Sequence, residues 1–473
     1  MIVMKFGGTS LKDAGMFRKA AEIVLNEPRK KIVVVSAMAK ITDKLKELAQ
    51  EAKTNNQWHN HFDYLVSFNF SLLKDLFATD SQERKRLSKV FEKYFLDLKK
   101  LLQSISILHE CTLQTFDSVM SLGEIISANV FSALLRESGA DSRPVPPYRI
   151  RTDDNFGSAE IDFSETKNNL LYLSDLIDSN YIPVIPGFIG KTKDGRLTTL
   201  GRNGSDYTAA AIANIFNAEE LVIWKDVDGI MQADPKIVPQ AKVLERISYE
   251  EAMEMTYFGS KVLHPKSILP AIQKKIPIRI KNTNNPNTSG TLISSGDNAF
   301  ESDVACRDCA QATGEAEIKV ITAISNLASI NVVGKGMLGV VGIARRVFGA
   351  TEKAGVNVMM ISQASSEQSI CFVVRNEDKD KAIKALQTEF ELEFHKGLLE
   401  DIISSSNMSI IAIIGDGMAG KVGVAAKFFS ALAEGGINII AIAQGSSERN
   451  ISVLIKSRDV ERAAQLVYNV FFK

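Results

Sequence analysis

The order of apolar and polar positions divides the chain in two. Over the first part, short β-branched runs alternate with longer stretches of helical spacing. IVMKF (2–6), KIVVVS (31–36), YIPVIPGFIG (181–190), ELVIWKDV (220–227) and IPIRI (276–280) predict strands. Residues 43–53, 84–103 and 118–137 carry apolar positions at helical spacing. Alternation of this kind predicts a mainly parallel sheet covered on both faces. Residues 55–110, rich in Phe, Leu and Lys, predict a helical insertion whose apolar face serves packing.

The character changes over 282–317, where NTNNPNTSGT and SSGDNAFESD are polar and full of turn formers, as at a domain boundary. An internal repeat follows. The segments beginning at Val332 and Ala412 align without a gap, matching Gly336 with Gly417, Gly339 with Gly420, Asn357 with Asn438, Gln363 with Gln444 and Glu367 with Glu448. Two tandem copies of one fold therefore form the C-terminal third. Each copy reads strand, glycine turn, helix, strand, tight turn, strand. In the second, INIIAIAQ and NISVLI are separated only by GSSER, too short for a parallel crossover. An antiparallel hairpin and a ferredoxin-like βαββ order follow.

That hairpin decides how to read AIIGDGMAGKVG (412–423). The stretch matches the dinucleotide fingerprint G-x-G-x-x-G and most of the P-loop pattern. A Rossmann unit wants an acidic residue after its second strand, and NIIAIAQ has none. A P-loop wants a hydroxyl after Lys421, where Val422 stands, and the first copy has Val340 in place of the lysine. The glycine turn exposes backbone N–H groups that suit a carboxylate, such as that of a small amino acid; a bare β–α turn is the plainer alternative.

Composition narrows the class. Lys plus Arg equal Asp plus Glu at 56 each, which argues against a nucleic-acid carrier. No apolar run approaches the roughly 20 residues of a membrane span, and MIVMKFGG is too short for a signal peptide. Four cysteines without framework spacing read as a reduced, cytoplasmic protein. Cys306-x-x-Cys309 lacks a second ligand pair and reads as two incidental cysteines near a linker.

The candidate chemistry lies near the N-terminus. In MKFGGTS (4–10), Lys5 ends a strand and Gly7-Gly8 let the backbone wrap an anion, while Lys5 brings a mobile positive charge for phosphates. TTLGRNGSDYTAAAIA (198–213) sets Arg202 and Asp206 either side of a turn that opens a helix. SLGEIISA (121–128) presents Glu124 at a helix start, where ordinary dipole pairing is the alternative. IWKDVDGIMQADPK (223–236) puts Asp226 after a strand, and TYFGSKVLHPKSI (256–268) holds Lys261 and His264, the histidine reading as a packing or hydrogen-bonding residue.

These five stretches, in this order, resemble the aspartokinase family. The two copies of G-x-G-M-x-G, with Asn-Val or Asn-Ile and then QASSE or QGSSE, resemble paired ACT domains, which sense amino acids. The resemblance implies an amino-acid kinase three-layer αβα sandwich over 1–293, a linker over 294–316, and ferredoxin-like βαββαβ ACT domains over 317–395 and 396–473. It implies transfer of phosphate from MgATP to the side-chain carboxylate of L-aspartate. Lys5 and Asp206 would be catalytic. Arg202 would bind the substrate α-carboxylate and Glu124 its α-ammonium, with Ser36, Thr42 and Ser205 around them; TDDNFGSA (152–159) resembles a substrate-side loop. Lys5, Gly7, Gly8, Ser10, Lys225, Asp226, Met231, Lys236, Lys261 and Val262 would line the nucleotide site, with no direct protein ligand assigned to the metal.

Some positions depart from the family pattern. Asn203 stands where glycine is usual, Lys225 for a common Thr, Met231 for a common Tyr and Lys236 for a common Arg. An effector would lie near Met337, Asn357, Val358, Gln363, Asn438, Ile439 and Gln444. Met359 and Met360 near Asn357, rather than an acid, favour threonine over lysine. Homodimers or homotetramers through the ACT domains are implied, with no nucleic-acid or membrane partner. The rivals are a sensor with a decayed kinase domain and a fragment of a bifunctional aspartokinase–homoserine dehydrogenase. The intact charged set and the chain's end after the second copy favour a monofunctional enzyme.

Overall fold

The computed structural model describes residues 1–54, 57–257, 263–295, 318–334, 341–363 and 369–472. The chain forms two compact units. One holds Met1–Ile230, Glu245–Tyr249 and Leu263–Asp297; the other holds Met231–Leu244, Glu250–Val262 and Asn298–Lys473.

The first unit contains strands β1 (Ile2–Phe6), β2 (Lys31–Val35), β3 (Ser142–Pro144), β4 (Ile182–Pro186), β5 (Ile189–Lys191), β6 (Leu197–Thr199), β7 (Glu220–Lys225), β8 (Arg246–Ser248), β9 (Ile278–Asn282) and β10 (Thr291–Ser294). Eight of them form one sheet in the order β3-β4-β2-β1-β7-β9-β10-β8. Pairing is parallel from β3 through β9, and only β9–β10 is antiparallel. Every residue of the central β1 is buried, as expected of a strand covered on both faces.

Two expected elements are broken. The run 181–190 is not one strand: β4 stops at Pro186, Gly187 turns, and Phe188 takes a left-handed φ of 67° before β5 pairs with β6 as a separate ribbon. The ladder with β2 closes on the Gly187 N–H, which donates to the Val35 carbonyl at 2.9 Å. The helix expected over 118–137 is two helices, Leu113–Met120 and Leu122–Glu137, meeting at Ser121, whose hydroxyl donates to the Asp117 carbonyl at 2.6 Å. Contrary to the sequence expectation, Leu113–Glu137 is long and apolar enough to cross a bilayer. It is a core element here, with 89% of its apolar window buried. The insertion supplies helices Trp58–Leu76 and Gln82–Leu108, joined by edge-on contacts of Phe62 with Phe95 and of Phe70 with Phe91, and by a tilted contact of Phe70 with Phe95.

The second unit contains β11 (Val320–Val333), β12 (Met360–Gln363), β13 (Ser369–Arg375), β14 (Asp401–Ile414), β15 (Ala441–Gln444) and β16 (Asn450–Lys456). They form one antiparallel sheet in the order β12-β13-β11-β14-β16-β15. The repeat becomes a local symmetry. Leu327 pairs with Met408, its own equivalent in the second copy. Beside them Asn326 and Asn407, also equivalent, take left-handed φ of 64° and 58°, a conformation asparagine tolerates. Before this kink, residues 320–324 pair with 410–414 of the second copy; after it, 329–333 pair with 401–405. Each copy thus receives its fourth strand from the segment preceding the other, and the sheet runs across the sequence limit at 395/396. Separate apolar clusters lie under the two copies, around Phe372 and Phe390 in one and around Phe428 and Leu432 in the other.

Candidate active site

The C-terminal ends of the parallel strands bring the predicted charges together, the usual place for a site in such sheets. Lys5 lies near the end of β1 and Lys225 at the end of the adjacent β7. Asp206 stands in the first turn of helix Gly204–Ile215. Lys5 Nζ is 2.5 Å from Asp206 Oδ1, and Lys225 Nζ is 3.3 Å from Oδ2. Lys5 and Asp206 are buried. Burial pushes the Asp206 carboxyl up, but the two lysines outweigh it and hold it below the usual carboxylate range. Burial lowers Lys5, and Lys225 adds to that, against the pull of Asp206.

Glu124 is the second feature. It is buried in the first turn of helix Leu122–Glu137, and burial raises its carboxyl to about 8 against hydrogen bonds from backbone N–H groups, that of Ala37 foremost. Its Oε2 has no hydrogen-bond partner among the described residues. The closeness to Ala37 has a steric cause: a Cβ on Gly123 would stand 2.7 Å from the Ala37 Cβ. A buried carboxyl with one oxygen unengaged is a receptor for a cation or an N–H donor.

The glycine turn after β1 is set by its neighbours. A Cβ on Gly8 would meet the Ala37 carbonyl at 2.9 Å. The Gly7 N–H, expected to face a phosphate, donates instead to the Trp224 carbonyl at 3.2 Å. Ser10 is likewise committed, to that carbonyl at 3.2 Å and to the Thr283 hydroxyl at 2.7 Å. Ser36 follows β2, its N–H donating to the Phe6 carbonyl at 3.1 Å, and Thr42 lies in the first turn of helix Ile41–Lys53. Ser205 is buried against Gly187, where a Cβ would come within 2.7 Å of the serine's own.

Arg202 is exposed in the turn before helix Gly204–Ile215, and its charge joins burial in holding the His264 imidazole below its usual range. Asn203 has a left-handed φ of 58°, which explains a glycine elsewhere and why asparagine serves here. Asp226 is exposed beyond β7. Met231 and Lys236 belong to the second unit, where Met231 packs against the second copy's cluster. Lys261, Val262 and Met337 lie outside the described residues.

Of the expected effector positions, Gln363 and Gln444 end the edge strands β12 and β15 and are exposed, as are Asn357 and Asn438. Val358 gives its carbonyl to the Tyr257 hydroxyl at 3.3 Å, and Ile439 packs against the second copy's cluster. A cavity of about 320 Å³ lies between the edge strands, lined by Glu254, Tyr257, Met360, Ala443 and Asn450 among others, and by none of these expected residues. The second glycine turn already holds carboxylates of this chain: the Asp416 N–H donates to Glu251 at 2.8 Å, and the Gly420 N–H to Glu448 at 2.6 Å.

Sequence reasoning passed over Asp117, Gly123 and Gly187. The two glycines had a readable signal, each beside a predicted site element. Asp117 had none, because its partners are far away in the chain.

Comparison with known proteins agrees with this architecture. Residues 1–282 match the amino acid kinase family, and 330–390 and 411–471 each match the ACT domain. The bifunctional aspartokinase/homoserine dehydrogenase of Buchnera aphidicola is 35% identical over 100% of this chain and 56% of its own length. The chain thus spans about half the length of the bifunctional relatives it matches. Aspartokinase 2, chloroplastic, of Arabidopsis thaliana is 32% identical over 100% of this chain and 84% of its own. Among solved structures, E. coli aspartokinase III in complex with aspartate and ADP superposes with a TM-score of 0.80 at 28% identity, covering 100% of both chains. The same E. coli enzyme in complex with lysine and aspartate gives 0.76. The chain belongs to the aspartokinase family, with an amino acid kinase domain followed by two ACT domains.

Proposed function

We propose that this chain phosphorylates the side-chain carboxylate of L-aspartate with MgATP, giving ADP and 4-phospho-L-aspartate, the first step toward lysine, threonine and methionine. The observation that carries the reading is the buried Lys5–Asp206–Lys225 cluster at the sheet's C-terminal edge, beside a Glu124 carboxyl with one oxygen unengaged. The nucleophile is an aspartate carboxylate, already ionised at neutral pH, so no general base is required. An oxygen of that carboxylate attacks the γ-phosphorus as the bond to the ADP oxygen breaks. The protein supplies alignment and positive charge. Lys5 and Lys225 face the transferring group, and Asp206 holds both ammonium groups in place. With the Gly7 N–H engaged, Gly8 is the backbone donor of that pair assigned to the phosphates.

Arg202 takes the substrate α-carboxylate through its fork and Glu124 its α-ammonium, with Ser36, Thr42 and Ser205 as further hydrogen-bonding groups. Asp226 lies on the nucleotide side. Met231, Lys236, Lys261 and Val262 remain assigned there by family resemblance. The residues do not fit a protein cage for Mg²⁺: no three metal-ligating side chains converge among the described residues, and Asp206 is held by two lysines. The ion is assigned to the nucleotide phosphates, where magnesium commonly sits.

Threonine is the proposed effector, at the equivalent positions Gln363 and Gln444 with Asn357 and Asn438; Met337, Val358 and Ile439 complete the set by resemblance. The E. coli relative solved with lysine makes lysine the alternative. Assembly as a homodimer or homotetramer through the ACT domains, and a cytoplasmic site where Cys111 and Cys371 stay reduced, belong to the same reading. A hydroxamate assay for the acyl phosphate, with aspartate and glutamate in parallel and each amino acid titrated, tests it. Product from aspartate and inhibition by threonine are expected; inhibition by lysine alone overturns the effector assignment.

A further inference from the structure

Asp117 is fully buried on helix Leu113–Met120 and is not among the residues assigned to the substrate or nucleotide sites. Its Oδ2 accepts the Gly157 N–H and the Thr199 N–H, each at 2.9 Å, and its Oδ1 accepts the Thr199 hydroxyl at 2.7 Å. One carboxylate thus ties the loop 152–159 to the end of β6. The two segments are also joined directly, the Ala159 N–H donating to the Thr199 carbonyl at 2.9 Å.

The clasp leads to Arg202. Two residues beyond Thr199, Gly201 takes a left-handed φ of 73°, and a Cβ there would stand 3.2 Å from the Gly157 carbonyl oxygen. The turn that presents Arg202 is therefore laid against the loop that Asp117 holds. The backbone of Asp117 faces the other way. Its carbonyl accepts the Ser121 N–H at 3.0 Å and the Ser121 hydroxyl at 2.6 Å, at the junction from which helix Leu122–Glu137 starts and carries Glu124. Five bonds on one residue thus connect the group assigned to the substrate α-carboxylate with the group assigned to its α-ammonium.

We propose that Asp117 is a positioning residue for the amino-acid substrate, setting the placement of Arg202 relative to Glu124. It touches no substrate atom and acts through the Gly157–Thr199 clasp. The inference rests on the aspartate kinase reading. An acceptor for the two N–H groups at Oδ2 and a hydrogen-bonding partner for the Thr199 hydroxyl at Oδ1 are needed, and negative charge is not.

Steady-state kinetics of the full chain with aspartate and ATP varied separately provide the test. Asp117→Ala should raise KM for aspartate about 10-fold or more while KM for ATP stays within about twofold, since a small misplacement of a binding group is costly. Asp117→Asn keeps an oxygen for both N–H donors and turns its amide toward the Thr199 hydroxyl, so it should restore KM for aspartate to within about threefold of wild type. Should Asp117→Ala fail to fold, Thr199→Val removes one bond alone and should raise KM for aspartate about threefold with KM for ATP unchanged. Equal rises in both KM values, an unchanged KM for aspartate in Asp117→Ala or Thr199→Val, or an Asn variant as impaired as the Ala variant would overturn the proposal. Wild-type enzyme without turnover on aspartate would instead overturn the kinase reading, and Arg202→Ala with normal KM for aspartate would overturn the role of Arg202.

Discussion

Lys5 Nζ and Asp206 Oδ1 stand 2.5 Å apart with little solvent access, and Lys225 approaches the other carboxylate oxygen at 3.3 Å. One carboxylate thus serves two ammonium groups drawn from neighbouring parallel strands. The arrangement makes the three residues unequal under mutation. Lys5→Ala leaves Asp206 paired with Lys225, so the fold should survive while kcat falls about 10³-fold or more through loss of charge at the transferring phosphate. Asp206→Ala leaves two ammonium groups facing one another and should cost about 3–5 kcal/mol of stability as well as activity. Thermal melts beside kinetics separate the two; equal melting losses in both variants would contradict this ordering.

Glu124 predicts a pH dependence with a definite sign. Its folded value of about 8 lies above the ordinary 4.5, so the free enzyme holds it largely protonated at neutral pH. An ammonium ligand wants the ionised form. Aspartate KM should therefore fall as pH rises toward 8 and level off above it, with proton release on binding. The stability contributed by the raised group is complete below about pH 4.5 and is lost as pH rises through about 8. Glu124→Gln should melt higher than wild type at pH 8 and the same near pH 5, with the pH dependence of aspartate KM removed. Calorimetry and kinetics across this range check both halves.

The legibility of the chain in its sequence varies with distance. The central strands IVMKF, KIVVVS and ELVIWKDV were plain because buried parallel strands are continuously apolar. The repeat was plain because its glycines, Asn357 and Asn438 and the two glutamines keep one spacing. The exchange of edge segments around Leu327 and Met408 was not, since strand partners leave no mark in either copy alone. The same holds for the site. Lys5, Glu124 and Asp206 announced themselves as charges beside glycines or helix starts. The engagement of the Gly7 N–H and of Ser10 by the Trp224 carbonyl depends on a residue more than 200 positions away, and Asp117 on Thr199.

Gly8 should tolerate no side chain. A methyl group there would begin 2.9 Å from the Ala37 carbonyl, and backbone has to move to admit it. Gly8→Ala is expected to cost about 1–3 kcal/mol and to lower kcat and aspartate affinity together, because Ala37 also donates to Glu124. Chemical denaturation beside kinetics measures both; a fully stable, fully active variant would contradict the packing described.

Glu251 has a separate role in the second unit. It is fully buried, receives the Asp416 N–H at 2.8 Å and lies 3.2 Å from Lys319 Nζ. Glu251→Ala should expose the second glycine turn, cost about 1–3 kcal/mol and speed amide exchange at Asp416. Hydrogen exchange read at that amide is the check, with unchanged protection as the contrary result.

The chemistry at the C-terminal ends of β1 and β7 is directly measurable. Purified chain should be incubated with ATP, Mg²⁺ and L-aspartate, and the product trapped with hydroxylamine. Aspartyl hydroxamate should form with ADP in equal amounts in wild type and be lost in Lys5→Ala. ADP without hydroxamate, or no difference between wild type and the Lys5 variant, would contradict the account.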